Sequence, residues 1–195
     1  MIAVVPVAFF TEHHVEMTAR FLTALDTEVD EVRVYHNGGL WADEGAKMLA
    51  GVHATVIDAT GWPFFRMWNH GLRSARGSAC LVLNNDIEWE LGALGALGAE
   101  LDTSEPDVAV VSPSPGGEPR HAFAIRPELA PEIDERYHTW FGDVELEYSL
   151  KRDGYRLMHF DPGIRHPHIQ TTMDHLPGVQ ELRRQDEALF VSKWL

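Results

Sequence analysis

Cysteine, basic residues and long apolar runs are all scarce in this sequence of 195 residues. Because Cys80 is the single cysteine, neither a disulfide nor a cysteine-based zinc site can form within the chain. Cys80 lies in the apolar run 79–83, so we expect a buried strand thiol rather than a nucleophile. No run approaches the roughly 20 apolar residues that cross a bilayer, and no transmembrane anchor is expected.

The charge balance is strongly acidic. The 16 basic residues face 30 acidic ones, which gives a formal net charge of −14 at pH 7. Such a surface repels the phosphate backbone of nucleic acids, so a nucleic-acid partner is not expected. The apolar start, residues 1–10, lacks the basic flank of a signal peptide and is followed by polar residues. The sequence therefore predicts a soluble, cytoplasmic protein.

Short apolar runs alternate with segments whose apolar residues recur at helical spacing. Strands are expected at 2–7, 31–35, 54–57, 79–83, 108–111, 121–126 and 155–160. Helices are expected at 15–25, 41–50, 64–75, 88–101, 144–152 and 181–194, with a Pro- and Gly-rich loop at 112–120. This order predicts an α/β fold, a sandwich of helices around a mainly parallel sheet. We place one domain at 1–170 and a C-terminal helical extension, packed on it, at 171–195.

Polar residues that follow the predicted strands are candidate site residues, because ligands of such sheets bind beyond the carboxyl ends of the strands. They are Pro6, Asn37, Asp58 and the triplet Asn84-Asn85-Asp86. A carboxylate at Asp86 can bind Mg²⁺ or Mn²⁺, and such an ion can bridge the phosphates of a nucleotide diphosphate. Taken alone, an Asn-Asn-Asp triplet after a strand is more often an ordinary turn.

Two later segments also carry candidate site residues, which could act as acid or base groups or as metal ligands. Asp143 begins a predicted helix, where it is either a general base or an N-cap, and Glu145 is either a second acid of the site or a solvated first-turn acid. His166 and His168, two residues apart on an extended segment, point to one face. Either histidine could complete a metal site with Asp86, which would favour Mn²⁺, and a surface or core role is the alternative.

Together these segments resemble glycosyltransferase family 2. Residues 62–89 (WPFFRMWNHGLRSARGSACLVLNNDIEW) are similar to the part of the family in which an Asn-bearing helix leads through an apolar strand to a DxD-type triplet. Residues 133–157 (IDERYHTWFGDVELEYSLKRDGYRL) are similar to the later part, in which an acidic pair opens a helix that ends in Gly-Tyr-Arg. The resemblance spans most of residues 1–168.

The resemblance implies a GT-A type three-layer α/β/α sandwich and an inverting glycosyltransferase. Such an enzyme moves a sugar from a nucleotide-sugar donor to an acceptor hydroxyl with a divalent metal, Mn²⁺ or Mg²⁺. The resemblance implies that Asp86 binds the metal with His168, or else with His166, and that Asp143 is the base. The donor-binding residues that it implies are Pro6, Asn37, Asp58, Arg66, Asn69, Asn84 and Asn85.

Two positions depart from the family pattern. Asn84 stands where the triplet begins with an acid, and Gly142 stands where an acid precedes the base, which leaves Asp143 alone or shifts its duty to Glu145. These departures keep open a non-catalytic module that binds a nucleotide-sugar or glycan. A sugar nucleotidyltransferase is a further alternative, although residues 7–14 hold no Gly, Lys or Arg to bind a triphosphate. The acceptor stays open between a glycan, a protein, a lipid-linked sugar and a modified base.

Overall fold

The computed structural model describes residues 1–75, 79–167 and 178–195. The strands are β1 (Ile2–Val7), β2 (Glu31–His36), β3 (Thr55–Asp58), β4 (Cys80–Leu83), β5 (Glu88–Trp89), β6 (Val108–Ser112), β7 (Ala122–Ile125), β8 (Arg156–His159) and β9 (Ile164–Arg165). The helices are α1 (Glu12–Leu25), α2 (Ala42–Leu49), α3 (Phe64–Ser74), α4 (Ala93–Thr103), α5 (Gly142–Arg152) and α6 (Val179–Trp194). A short 3₁₀ helix, Pro115–Gly117, lies in the predicted loop.

The central sheet has seven strands in the order β3-β2-β1-β4-β7-β6-β8. All neighbouring pairs are parallel except the two that involve β7, which runs antiparallel to both β4 and β6. A second, two-stranded sheet pairs β5 with β9, with Glu88 opposite Arg165. The prediction of an α/β fold with a mainly parallel sheet is therefore confirmed.

The central sheet is covered on both faces, because its strands are apolar on both sides. Side chains alternate along a strand, so β1 sends Ala3, Val5 and Val7 into one core and Val4 into the other. The first core is completed by residues of α1, α2 and α4, and the second by residues of α3, α5 and α6. Near-continuous apolar strands of this kind are typical of a buried parallel sheet.

The helix predicted at 88–101 is wrong in its first five residues. Glu88–Trp89 form β5, and the helix begins only at Ala93, after Gly92 in the left-handed conformation (φ 85°). Leucine spacing suggested a longer helix, but Leu91 is 92% exposed and does not belong to the buried face. The partner strand β9 was not predicted, because two residues give no recognisable period.

Two further points concern membrane-spanning helices and the predicted domain boundary. No helix in the described ranges is long and apolar enough to cross a bilayer. The predicted boundary at residue 170 falls among residues outside the described part, so the division into a domain and an extension stays a prediction.

A close contact between α3 and β1 provides a test of this packing. A Cβ added at Gly71 would lie 2.6 Å from Cγ1 of Val4, which is fully buried. We predict that Gly71→Ala lowers the free energy of unfolding by about 1–3 kcal/mol through overpacking. Gly95→Ala in α4 is the matched control, since its Cβ would meet nothing within 4 Å, and it should be neutral or stabilise by up to ~1 kcal/mol. Urea denaturation measures both, and equal effects would contradict the close contact.

Candidate active site

The candidate site lies where β4 ends beside the start of β7. Leu83 and Ala122 are register partners, so the residues after β4 face those that precede β7. The backbone N–H of Asn84 donates to the carbonyl of His121 at 2.9 Å, and the Nδ2 atom of Asn84 lies 3.5 Å from Nδ1 of His121. The antiparallel pair therefore brings the predicted triplet beside a histidine that sequence reasoning missed.

Asp86 contacts one of the two predicted histidines. Nε2 of His166 lies 3.2 Å from Oδ1 of Asp86, and the side chains are 18% and 11% exposed. His166 directly follows β9, whose pairing with β5 returns the chain to the region just after Asp86. The small second sheet thus joins the predicted metal carboxylate to His166, while His168 lies outside the described residues.

His121 lies at the centre of the cluster. Its ring stacks on that of His166, with centroids 3.7 Å apart and an interplanar angle of 8°. Partial desolvation is the main cause that lowers the pKa of His121, and the neighbouring His166 lowers it further. The charges of Asp86 and Asp143 act in the opposite direction on that pKa. Both predicted carboxylates therefore lie within electrostatic reach of one imidazole.

Asp143 occupies the first turn of α5 without being its N-cap. The N-cap is Phe141, and no side chain caps the helix there, so the alternative interpretation of Asp143 as an N-cap is wrong. Oδ2 of Asp143 accepts a hydrogen bond from Nη1 of Arg120 at 2.9 Å, and Oδ1 accepts one from the Val144 N–H at 2.9 Å. The Asp143 side chain remains 24% exposed, so Arg120 orients the carboxylate while leaving it open to a ligand.

Three of the predicted donor-binding residues, Pro6, Asn37 and Asp58, belong to or border the parallel half of the sheet, and a fourth, Arg66, lies in α3. Nδ2 of Asn37, just after β2, donates to the carbonyl of Trp62 at 3.2 Å, and the guanidinium of Arg66 lies 4.5 Å from the centroid of the Trp62 indole. Asp58 ends β3 and is exposed, and its carboxylate accepts the backbone N–H two residues later. Pro6 is buried within β1. Trp62 thus links two of the predicted residues, a role that sequence reasoning did not assign.

His36 is a second histidine that sequence reasoning did not single out. It ends β2 opposite Asp58, and its ring packs against Phe9 with centroids 5.3 Å apart. Its Nε2 atom is buried with no hydrogen-bond partner among the described residues. Burial lowers the pKa of His36, and the charge of Asp58 partly offsets that effect.

Two predicted donor-binding residues instead make contacts within the fold. Asn69 is 3% exposed, and its amide donates to the carbonyl of Ile133 at 2.8 Å and accepts from the N–H of the same residue at 3.0 Å. Asn85 is 8% exposed and donates to Oγ1 of Thr18 at 2.7 Å. Both amides hold segments of the chain together, and the structure does not bring them to the cluster around His121.

Glu145 is also kept apart from that cluster. Residues two apart in an α-helix lie about 200° apart around its axis, so Glu145 and Asp143 face different sides of α5. Glu145 is 4% exposed, and its Oε1 accepts from Nζ of Lys193 in α6 at 2.5 Å. The structure therefore places Glu145 with α6, and Asp143 alone with Arg120 and the histidines.

A divalent cation fits this donor set only in part. In the described portion of the chain, no three His, Cys, Asp or Glu side chains converge on a point that could hold a metal. Asp86 and His166 do offer an oxygen and a nitrogen 3.2 Å apart. Adjacent ligands of an octahedral ion with bonds of about 2.1 Å lie about 3 Å apart, and such ions often take one or two carboxylates plus substrate phosphates. The pair therefore fits a metal that a phosphate ligand helps to hold.

The chain resembles the GT-A-type glycosyltransferases in fold. No protein-family model and no curated protein matches the sequence. Among solved structures, a mannosyltransferase from Pyrobaculum calidifontis in complex with GDP-Man and Mn²⁺ matches with a TM-score of 0.60 and 17% identity. That match covers 82% of this chain but 54% of the mannosyltransferase, so this chain spans about half of its length.

Glucosyl-3-phosphoglycerate synthase from Mycobacterium tuberculosis also matches. Its complex with Mn²⁺, uridine diphosphate and phosphoglyceric acid gives a TM-score of 0.64 and 16% identity, over 98% of this chain and 77% of the synthase. A second complex of the synthase contains Mg²⁺ and uridine diphosphate. The mannosyltransferase and the synthase, which share this fold, were thus both solved with a nucleotide or nucleotide-sugar and a divalent metal.

The cluster around His121 leads to a prediction about proton affinity. We predict that Asp86→Asn and Asp143→Asn each lower the pKa of His121 further, because each removes a negative charge that favours the protonated imidazole. Asp58→Asn is the matched control, which should lower the pKa of His36 and leave that of His121 unchanged. NMR titration of the imidazole resonances measures all three variants. If the pKa of His121 is the same in one of these variants as in the wild type, the carboxylate replaced in that variant does not belong to the cluster.

Proposed function

We propose that this chain is an inverting glycosyltransferase that moves a sugar from a nucleotide-diphosphate donor to an acceptor hydroxyl. The observation that carries the proposal is that Asp86 and Asp143, which are far apart in sequence, both reach the start of β7. Asp86 pairs with His166, whose ring stacks on His121, and Asp143 pairs with Arg120, the residue before His121. One edge of the sheet thus offers a carboxylate for a metal and a second carboxylate for proton transfer. The fold shared with glycosyltransferases that hold nucleotides and Mn²⁺ supports the same function.

In this proposal Asp86 and His166 would hold a divalent cation together with the donor diphosphate. A histidine ligand favours Mn²⁺ over Mg²⁺, because imidazole is a softer ligand than a carboxylate. When bound, the ion supplies positive charge that stabilises the departing nucleoside diphosphate. Asn84 lies beside this proposed metal site. The nucleotide would bind toward the parallel strands, along Asn37 and Asp58.

Asp143 acts as the general base. Its carboxylate takes the proton from the acceptor hydroxyl as the acceptor oxygen bonds to the anomeric carbon. The bond from that carbon to the diphosphate oxygen breaks on the opposite side, which inverts the configuration. Arg120 holds one carboxylate oxygen at 2.9 Å and so fixes the direction from which the base approaches the acceptor. Orientation of this kind contributes to the rate by holding reactants in line.

The first experiment identifies the donor and tests for turnover. Thermal shift with UDP-, GDP- and dTDP-sugars in the presence of Mn²⁺ finds the donor, because a tight ligand raises the melting temperature by mass action. Hydrolysis and transfer of that donor are then measured with glycan, peptide and lipid-linked acceptors. A donor that binds but is neither hydrolysed nor transferred would favour the non-catalytic module. Release of pyrophosphate from a sugar phosphate and a nucleoside triphosphate would favour the nucleotidyltransferase.

The role of Asp143 gives a sharper prediction. We expect Asp143→Asn to lower kcat by about 10²- to 10⁴-fold, the usual contribution of a general base, while the Kd for the donor stays within a few-fold. Asp153→Asn, which changes an acid at the far end of α5, is the matched control and should leave both constants unchanged. Steady-state kinetics and calorimetry provide the two values. A variant that keeps wild-type kcat would exclude Asp143 as the base.

The metal site is tested by binding rather than by turnover. We expect Asp86→Asn and His166→Ala each to weaken Mn²⁺ binding to the complex with a nucleoside diphosphate by roughly 10- to 100-fold, because each removes a proposed ligand. His53→Ala is the control, since His53 is exposed and paired with Asp26. Electron paramagnetic resonance of free Mn²⁺ measures the affinity. If both variants bind Mn²⁺ as tightly as the wild type, Asp86 and His166 are not the metal ligands.

A further inference from the structure

Helix α6 is tied to the loop that leads into Asp143. The carboxylate of Asp186, 1% exposed, accepts three successive backbone hydrogen bonds, from the N–H groups of His138 at 2.8 Å, Thr139 at 3.0 Å and Trp140 at 2.9 Å. The ring atom Nδ1 of His138 is also in contact with this carboxylate, 2.8 Å from Oδ1 of Asp186. Successive N–H groups that converge on an anion form a nest, so one side chain fixes three consecutive peptide groups.

The two residues between this nest and Asp143 have little freedom to absorb a shift. Phe141 has φ 65° and is the one non-glycine residue with positive φ in the described ranges. This conformation costs about 1–2 kcal/mol, so the surrounding contacts must hold it in place. Its ring stacks on Phe190 of α6, with centroids 5.4 Å apart. Gly142 follows, and a Cβ there would lie 2.5 Å from the ring of Phe65.

A second attachment holds the other side of α5. Nζ of Lys193, in the last turn of α6, donates to Oε1 of Glu145 at 2.5 Å and to Oδ2 of Asp134 at 3.0 Å. The first turn of α5 is therefore held by Arg120 on the side of Asp143 and by Lys193 on the side of Glu145. Helix α6 thus contacts both the approach to the turn and the turn itself.

We propose that Asp186 is a positioning residue for the reaction, and this inference rests on the proposed function. By fixing the peptide groups of residues 138–140, Asp186 sets where α5 begins and so holds the carboxylate of Asp143 against Arg120. The role needs a carboxylate. An asparagine amide has one acceptor oxygen and would turn N–H donors toward the donors of the nest.

The kinetic test compares Asp186→Asn with Glu187→Gln, which makes the same change of charge at the next, exposed residue of α6. Asp186→Asn should lower kcat on the order of 10- to 100-fold, because a small displacement of the base is costly, and leave the donor Kd within about twofold. Glu187→Gln should change neither value. Both are measured with Mn²⁺ present, well below the melting temperature of each variant. Wild-type kcat in Asp186→Asn, or an equal loss of kcat and donor affinity, would overturn the positioning role.

Hydrogen exchange tests the nest without reference to activity. The amides of residues 138–140 should exchange at least about tenfold faster in Asp186→Asn than in the wild type, while those of β1 stay protected. Should this variant fail to fold, Phe190→Leu removes the stacking on Phe141 and should show the same selective loss of kcat. An unchanged kcat in Phe190→Leu would then overturn the proposal.

These outcomes distinguish the two proposals. A wild-type protein that turns over no donor overturns the proposed function, and the positioning role with it. Unchanged exchange at 138–140 in an otherwise active protein overturns the positioning role of Asp186 alone.

Discussion

The antiparallel pairing of β7 with β4 is the contact on which the candidate site depends. In a wholly parallel sheet, one edge collects only the residues that follow the strands. Because β7 is reversed, the same edge also receives the residues that precede it, Arg120 and His121. A guanidinium and an imidazole thus lie among the carboxylates of Asp86 and Asp143, which came from elsewhere in the chain. The chemistry of the site follows from this one reversal of direction.

The same arrangement explains how two carboxylates can share a small polar region of an acidic protein. With a net charge of −14, the chain offers little general attraction for a nucleotide diphosphate. Arg120 offsets the charge of Asp143, whereas desolvation and the neighbouring His166 lower the pKa of His121. Asp86 lies 3.2 Å from the ring of His166, and this oxygen and nitrogen are the two ligands that the proposed divalent cation would use.

Much of the fold could be predicted from the sequence, because apolar strands and helical spacing are local signals. Asp86 and Asp143 could be singled out because each has a local signal: Asp86 follows an apolar strand, and Asp143 begins a predicted helix. The family resemblance then links the two segments. His121 could not, since its role comes from pairing with Asn84 across two strands. Sequence also could not show that Asn85 is engaged with Thr18 in the interior. Contacts of this kind depend on the tertiary structure, which no local period encodes.

Glu145 and Asp186 illustrate the same limit in opposite ways. Glu145 lies beside Asp143 in sequence, yet helical geometry turns it toward α6, where Lys193 neutralises it. Asp186 lies far from Asp143 in sequence, yet its hydrogen bonds end within a few residues of it. An acid on an amphipathic helix is usually exposed, because burying an unpaired carboxylate is costly. The burial of Asp186 is compensated by the three N–H groups that donate to its carboxylate. Phe141, which has a left-handed conformation, follows these three residues directly, so an acid that is remote in sequence supports a strained stretch of backbone beside the proposed base.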